Sequence, residues 1–297
     1  VATTLEDYQF EILRDDADTG VAFGIGRAIS CDASGFDPGT SDWLVQDQED
    51  PFTGAVRMGR DVRTGSTFAW SLFVDQYSDV DALEALDELA DAWTPDDLSG
   101  GEVMVLRYKV GGRTRRVYGR PRRWASPPDN KILSGMIPIT ADFKRVDPMF
   151  YDDSKESTLL SLAYESEGGF LFPVTFPVIT KPGGMTPGLA FVSGRRKTWP
   201  IIRIDGPIIN PTIITPGWTL PLTLNMNEGH YLEIDTRPWK RTIKLDGTSA
   251  LPGVLGPKIR MRDLYLEPGA QSFGFQGVSG TGTATCTISW YPAYASL

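Results

Sequence analysis

The side chains best suited to chemistry are few and far apart in this 297-residue chain. Its single histidine, His230, sits in Glu228-Gly229-His230-Tyr231 with no cysteine or second histidine beside it. A Cys–His or Ser–His–Asp site would have to be built on that one imidazole. Its place after a turn glycine, at the start of a strand, is that of an ordinary, partly exposed histidine. Cys31 and Cys286 lie in opposite halves and no CxxC occurs, so zinc-site spacing is absent. A disulfide between the halves has no support, and two buried, idle thiols are the simpler reading. Gly24-Ile25-Gly26-Arg27 lacks the third glycine and following helix of a dinucleotide fingerprint. Asp15-Asp16-Ala17-Asp18-Thr19-Gly20 lacks EF-hand spacing and reads as a polar hairpin turn. No Walker A motif or nucleophile elbow is present. The expectation is therefore no enzyme: no catalytic residue, no metal ligand and no cofactor.

The densest charged motif is basic. Arg113, Arg115, Arg116, Arg120, Arg122 and Arg123 interleave with Tyr118 and Trp124, the basic–aromatic pattern of a nucleic-acid-binding ribbon. Strand alternation, however, puts Arg113, Arg115 and Val117 on one face and Arg116, Tyr118 and Arg120 on the other, which splits the patch. Arginines that pair with acids of a neighbour are the stronger reading, and Arg113, Arg115 and Arg116 are the interface candidates. The charge is laid out in blocks. Residues 1–102 carry 5 basic and 23 acidic residues, net −18; residues 103–145 carry 11 and 2, net +9; residues 146–297 carry 13 of each. A nucleic-acid binder would be dominated by positive charge. Oppositely charged faces suit an assembly.

These residues need elements to hold them. Apolar residues at 41% and charged residues at 23% are enough for a core and too balanced for disorder. No apolar run approaches membrane-spanning length. Val1 to Asp7 lack the basic and apolar regions of a signal peptide, so secretion by that route is not expected. One helix is convincing: Ser78 as N-cap, then Leu83, Leu86, Leu89, Ala90 and Trp93 at helical spacing, stopped by Thr94-Pro95. Strands are expected over 65–74, 103–110, 113–124 and 131–145, with Gly111-Gly112 as a two-residue primed turn and Ile137, Ile139, Ala141 and Phe143 on one side. Val146 to Tyr151 close that unit with a proline and exposed acids. Beyond about residue 152 the texture becomes short β runs cut by Pro and Gly. Strands are expected over 201–204, 211–215, 220–225, 230–235, 242–245, 264–266, 271–275 and 283–290, which argues for a β-sandwich or jelly roll.

The second half also carries an ordered set of motifs: Trp199-Pro200-Ile201-Ile202-Arg203-Ile204-Asp205-Gly206-Pro207-Ile208-Ile209-Asn210-Pro211, then Gly229-His230-Tyr231-Leu232-Glu233-Ile234-Asp235-Thr236, Lys244-Leu245-Asp246-Gly247, Leu266-Glu267-Pro268-Gly269 and Thr287-Ile288-Ser289-Trp290. Upstream stand Ile139 to Tyr151 and Phe170-Leu171-Phe172-Pro173-Val174-Thr175-Phe176-Pro177. In order and spacing this set resembles the distal tail protein (Dit) family of long-tailed, siphovirus-type bacteriophages, especially the minor tail proteins of actinobacterial phages. The basic loop Val192 to Thr198 departs from the turn that relatives tend to have. Physically the motifs are scaffold. Gly206-Pro207 and Asn210-Pro211 are read as bracketing a turn, and Asp246-Gly247 and Pro268-Gly269 as turn formers between strands.

The resemblance implies a mainly β protein: a ring-forming, tail-tube-like β-barrel domain with one flanking helix over 1–152, and a galectin-like β-sandwich (jelly roll) over 153–297. It implies a virion protein of the tail tip, made in the host cytoplasm, forming a homohexameric ring. Implied partners are the tail tube protein, the tape measure protein, and tail-tip or baseplate hub and receptor-binding proteins; DNA passes only in transit, and no membrane is inserted. The alternative is a carbohydrate-binding module contacting the host surface. Trp199, Trp218 and Trp239 would then stack on sugars, Trp218 and Trp239 foremost; in the purely structural reading Trp199 and Trp290 belong to the core and the others cover turns.

Overall fold

The computed structural model describes residues 3–14, 20–31, 33–75, 79–127, 136–162, 188–248, 253–256 and 258–297. Four expectations lie wholly or partly outside them: Ser78 as a cap, the 15–19 part of the acidic turn, the 131–135 part of the strand expected over 131–145, and the 170–177 motif. The chain divides into two compact units, Val1–Asp153 with Tyr294–Leu297, and Ser154–Ala293. No helix of the described residues is long and apolar enough to cross a membrane.

In the first unit the strands are β1 (Gln9–Leu13), β2 (Val21–Gly24), β3 (Ile29–Ser30), β4 (Phe36–Asp37), β5 (Trp43–Leu44), β6 (Gln48–Glu49), β7 (Val56–Arg57), β8 (Val62–Arg63), β9 (Thr67–Asp75), then helix α1 (Asp79–Trp93), β10 (Met104–Val110), β11 (Arg113–Ala125), β12 (Met136–Arg145) and β13 (Phe150–Asp152). The main sheet runs β2-β1-β10-β11-β12-β9-β3, with β4 on β9 and β13 on β11, a nearly closed barrel-like sheet. Period-two alternation drives it. On β12, Ile137, Ile139, Ala141 and Phe143 all point into one core with Phe10, Phe23, Phe68, Trp70 and Leu106. The β10–β11 turn is as expected: Gly111 and Gly112 take φ of 60° and 73°, with Val110 opposite Arg113.

Helix α1 lies on that core through Ala82, Ala85, Leu86, Leu89, Ala92 and Trp93. Burial of Leu89 and Trp93 stabilises this contact by roughly 1.5–3 kcal/mol each. The Trp93 Nε1–H also donates to the Arg123 carbonyl at 3.0 Å. The expected stripe needs one correction. Leu83 is 45% exposed, because Ala82 and Ala85, one residue before it and two after, take the inner positions.

The second unit contains β14 (Glu156–Ser161), β15 (Gly188–Val192), β16 (Ile201–Asp205), β17 (Ile208–Ile214), β18 (Thr219–Pro221), β19 (Asn225–Met226), β20 (Tyr231–Asp235), β21 (Thr242–Leu245), β22 (Gly269–Val278) and β23 (Thr285–Trp290). Two five-stranded antiparallel sheets, β14-β23-β16-β20-β21 and β15-β22-β17-β18 with β19 on β17, enclose one core that includes Ile202, Ile204, Ile234, Phe273, Ile288 and Trp290. The fold is thus mainly β, with one α-helix among the described residues. Two strand expectations are corrected. The 264–266 run is a single bridge of Leu266 to Thr198, and 220–225 splits between β18 and β19.

Asn210-Pro211 does not bracket a turn; it lies inside β17, where the register shifts between Ile209 and Thr212 and Asn210 takes φ of 48°. Proline has no N–H for the ladder, and a bulge is where a strand needs none. Pro121 obeys the same rule, at the shift between Pro121 and Arg123 on β11.

Candidate functional site

The expected interface arginines are placed by β11, a central strand of the first unit. Arg113 is exposed at the hairpin end. Arg115 and Arg116 are only 6% exposed and are spent inside the chain. Arg115 pairs with Asp152 at 2.7 Å and its guanidinium lies 3.8 Å from the Tyr294 ring centroid. Arg116 pairs with Asp153 at 2.7 Å. This corrects the surface reading of the two: both faces of β11 are covered here, so their charges face acids of their own unit. The acids were the missed half. Asp152 and Asp153, just past the 146–151 segment, were given no role by the sequence reading.

Arg107 on β10 completes the cluster. Its guanidinium takes Asp153 through Nε at 2.9 Å and Nη2 at 2.6 Å, and its Nη1 reaches Glu11, which is wholly buried. Burial pushes the Asp153 carboxyl up, but the bonds from Arg107 and Arg116 outweigh it and hold the group below the usual carboxylate range. A neighbouring site holds Arg145 and Asp147. Arg145 donates to Ser66 Oγ at 2.7 Å and stacks 4.2 Å from the Phe150 centroid; burial lowers its pKa to about 10. Asp147, expected to be exposed, is buried, accepts from Tyr151 Oη at 2.6 Å, and is pushed up by burial to about 6. The first cluster is a set of acid–base pairs, although Glu11 Oε1, Arg115 Nε and, in the second, Arg145 Nη1 are buried without a hydrogen-bond partner. The pairs hold neighbouring strands in register.

Two surfaces of the first unit are not satisfied in this way. One is an arm: β5 pairs with β8 and β6 with β7, forming a two-stranded ribbon whose residues 42–62 are mostly exposed on both faces. Its tip is closed by Asp50, which accepts from Phe52 N and Thr53 Oγ1. Trp43, Leu44, Val45, Phe52, Met58 and Val62 stand in solvent, Phe52 being 96% exposed. Sequence reasoning missed this arm, although Pro51, Gly54 and Gly59 among apolar residues were a usable turn signal. The other surface is the outer side of α1, where Glu84, Asp87, Glu88 and Asp91 are exposed with no basic residue in the last turn.

In the second unit, Trp218 is half-buried, packs on the core and donates from Nε1 to the Tyr265 carbonyl at 2.8 Å. Trp239 is half-buried in the turn after Arg237. Trp290 is in the core, as expected; Trp199 is half-buried, with Lys197 Nζ 5.6 Å from its ring centroid. His230 Nδ1 lies 2.6 Å from Asp246 Oδ2 at an exposed turn. Asp235 is buried against Arg237 at 2.7 Å. Cys31 and Cys286 are both buried. Among the described residues no group of three or more His, Cys, Asp or Glu could hold a metal ion.

No protein-family model matches the chain, and no curated protein sequence does. Solved structures do. The chain is similar to the crystal structure of the Dit protein of phage SPP1, described as a paradigm of the hub adsorption apparatus in phages infecting Gram-positive bacteria, with a TM-score of 0.50 at 12% identity over 94% of this chain and 98% of that one. It is similar to a chain of the phage P2 baseplate in its activated conformation with Ca, with a TM-score of 0.59 at 13% identity over 95% of this chain and 97% of that one. The same baseplate with Sr gives 0.59 at 12% identity over the same shares. At this identity the likeness is one of fold, and it runs through both units.

Proposed function

We propose that this chain is a structural protein of a phage tail tip, a Dit-type hub. In this reading six copies close a ring through their first units, around the channel by which DNA leaves. The ring joins the tail tube, with its tape measure protein, to baseplate and receptor-binding proteins, and the second unit is a galectin-like sandwich facing those partners. The observation that carries the reading is the extent of the fold likeness: 94–95% of this chain against 97–98% of hub and baseplate chains. The first unit adds support, since an exposed apolar arm and an acidic helix face are features of a chain built to be covered in an assembly. Its buried charged groups pair internally, as a scaffold requires.

A heterologous contact repeated by rotation closes a ring without needing symmetry within the subunit. Of the three arginines first considered, Arg113 keeps an exposed head for such a contact. The sugar-binding alternative draws little from Trp218, whose indole is engaged by the Tyr265 carbonyl. The test is light scattering of the purified chain with negative-stain images of the same fraction. Six-fold rings with a central hole are expected; a compact monomer at every concentration overturns a self-assembling hub.

A further inference from the structure

The ribbon of the first unit and the outer face of α1 are each physically incomplete. A lone two-stranded ribbon is marginal in water, yet this one exposes apolar side chains along its length. Its two limbs differ in charge. The outgoing limb, 42–50, carries Asp42, Asp47, Glu49 and Asp50 and no base; the return limb, 55–63, carries Arg57, Arg60 and Arg63 against Asp61 alone. Arg63 is tied to the Ala295 carbonyl at 3.0 Å, while Arg57 and Arg60 reach into solvent beside Val56, Met58 and Val62. Met58 is 76% exposed.

Helix α1 has the complementary deficit. Glu84 faces Glu88 and Asp87 faces Asp91 at i,i+4 spacing, an arrangement that opposes helix formation. Asp91 also sits near the negative end of the helix dipole, where a cation belongs and none is present. Amid these acids Leu83 is an exposed apolar residue. The face therefore combines an apolar point with a row of uncompensated carboxylates. The return limb offers apolar side chains with two unengaged guanidiniums.

We infer that the return limb of the arm docks on the outer face of α1 of a second copy of this chain, Met58 covering Leu83 while Arg57 and Arg60 face Glu84, Asp87, Glu88 and Asp91. The occupant is a second copy because both halves of the match are on every chain. A contact of that kind is heterologous, so it propagates around a ring. This inference rests on the hub reading and names the contact that builds the ring.

The test begins with the ring concentration range of the wild-type full chain, measured by light scattering. R57E/R60E should raise the concentration at which rings dissociate by on the order of tenfold or more, as loss of complementary charge does at interfaces. E84R/D87R should do the same. The chain carrying all four substitutions should regain rings, because the charges are then exchanged rather than removed. All four positions are exposed, so circular dichroism of the monomers should match wild type. A second readout uses M58C/L83C with a short bismaleimide: the two native cysteines are buried, so ladders of up to six chains report the arm–helix contact. Rings that persist in both reversal variants, or a four-fold variant that stays dissociated, overturn the inference and leave the hub reading standing. A wild-type chain that never forms rings overturns both.

Discussion

Arg107 and Arg116 stand directly opposite each other on β10 and β11 and share the carboxylate of Asp153. Two like charges facing across an antiparallel pair destabilise it on their own. Here the row continues to Glu11, opposite Arg107 on β1, so two guanidiniums meet two carboxylates. The register of three strands is thereby tied to the residue at which the chain leaves the first unit. Slipping β11 by one position would bury an arginine without its acid.

Replacing Asp153 with Asn should therefore cost about 3–5 kcal/mol, because it strands buried guanidinium charge instead of removing a pair. Hydrogen exchange on β10 and β11 during urea unfolding is the measure. A loss below about 1 kcal/mol would mean that water solvates this cluster. The sign with pH follows from the lowered Asp153 pKa. Its contribution is present above the ordinary carboxylate value and is lost as pH falls through the folded one.

Asp147 should act in the opposite sense. Its folded pKa is raised to about 6 from 3.8, so its contribution is full below about pH 4 and disappears as pH rises to 6. The span is about 3 kcal/mol for a group this buried. D147N removes the proton exchange while an amide oxygen still accepts from Tyr151. The difference in unfolding free energy between wild type and D147N should shift by that amount between pH 4 and pH 7. A difference that is flat with pH would place the Asp147 carboxyl in contact with water.

Gly119 on β11 has no room for a side chain. A Cβ there would lie 2.1 Å from the Lys144 carbonyl oxygen and 2.6 Å from Phe143 Cε1. G119A should cost about 1–3 kcal/mol by overpacking. Gly111, in the hairpin turn, meets nothing within 4 Å and needs only a positive φ, so G111N should fold with little loss. Equal melting temperatures for the two variants would overturn this distinction.

The parts of the fold that were readable in advance are those set by local rules. The Gly-Gly hairpin follows from positive φ, β12 from its alternating apolar face, and the turn at Asp246-Gly247 from φ of 50° and 75°. Asp152 and Asp153 were not readable as partners of Arg115, Arg116 and Arg107, because ion pairing across 37 to 46 residues leaves no periodic trace. β1 was missed for a related reason: all five of its residues are buried, Gln9 and Glu11 included, so it shows no alternation. The arm was passed over because apolar residues in solvent look like a weak core pattern.

Helix α1 gives the last contrast between side chains that build the monomer and those that lie on its surface. Leu89 is fully buried against the aromatic core, while Leu83, six positions earlier, is not. L89A should cost about 2–5 kcal/mol through lost burial and the cavity left behind. L83S should change monomer stability by no more than about 0.5 kcal/mol, as exposed substitutions do. The same L83S chain should nonetheless dissociate from rings at higher concentration than wild type. Parallel denaturation and light-scattering titrations separate the two effects. A large stability loss in L83S would instead place Leu83 in the core, with the stripe turned by one residue.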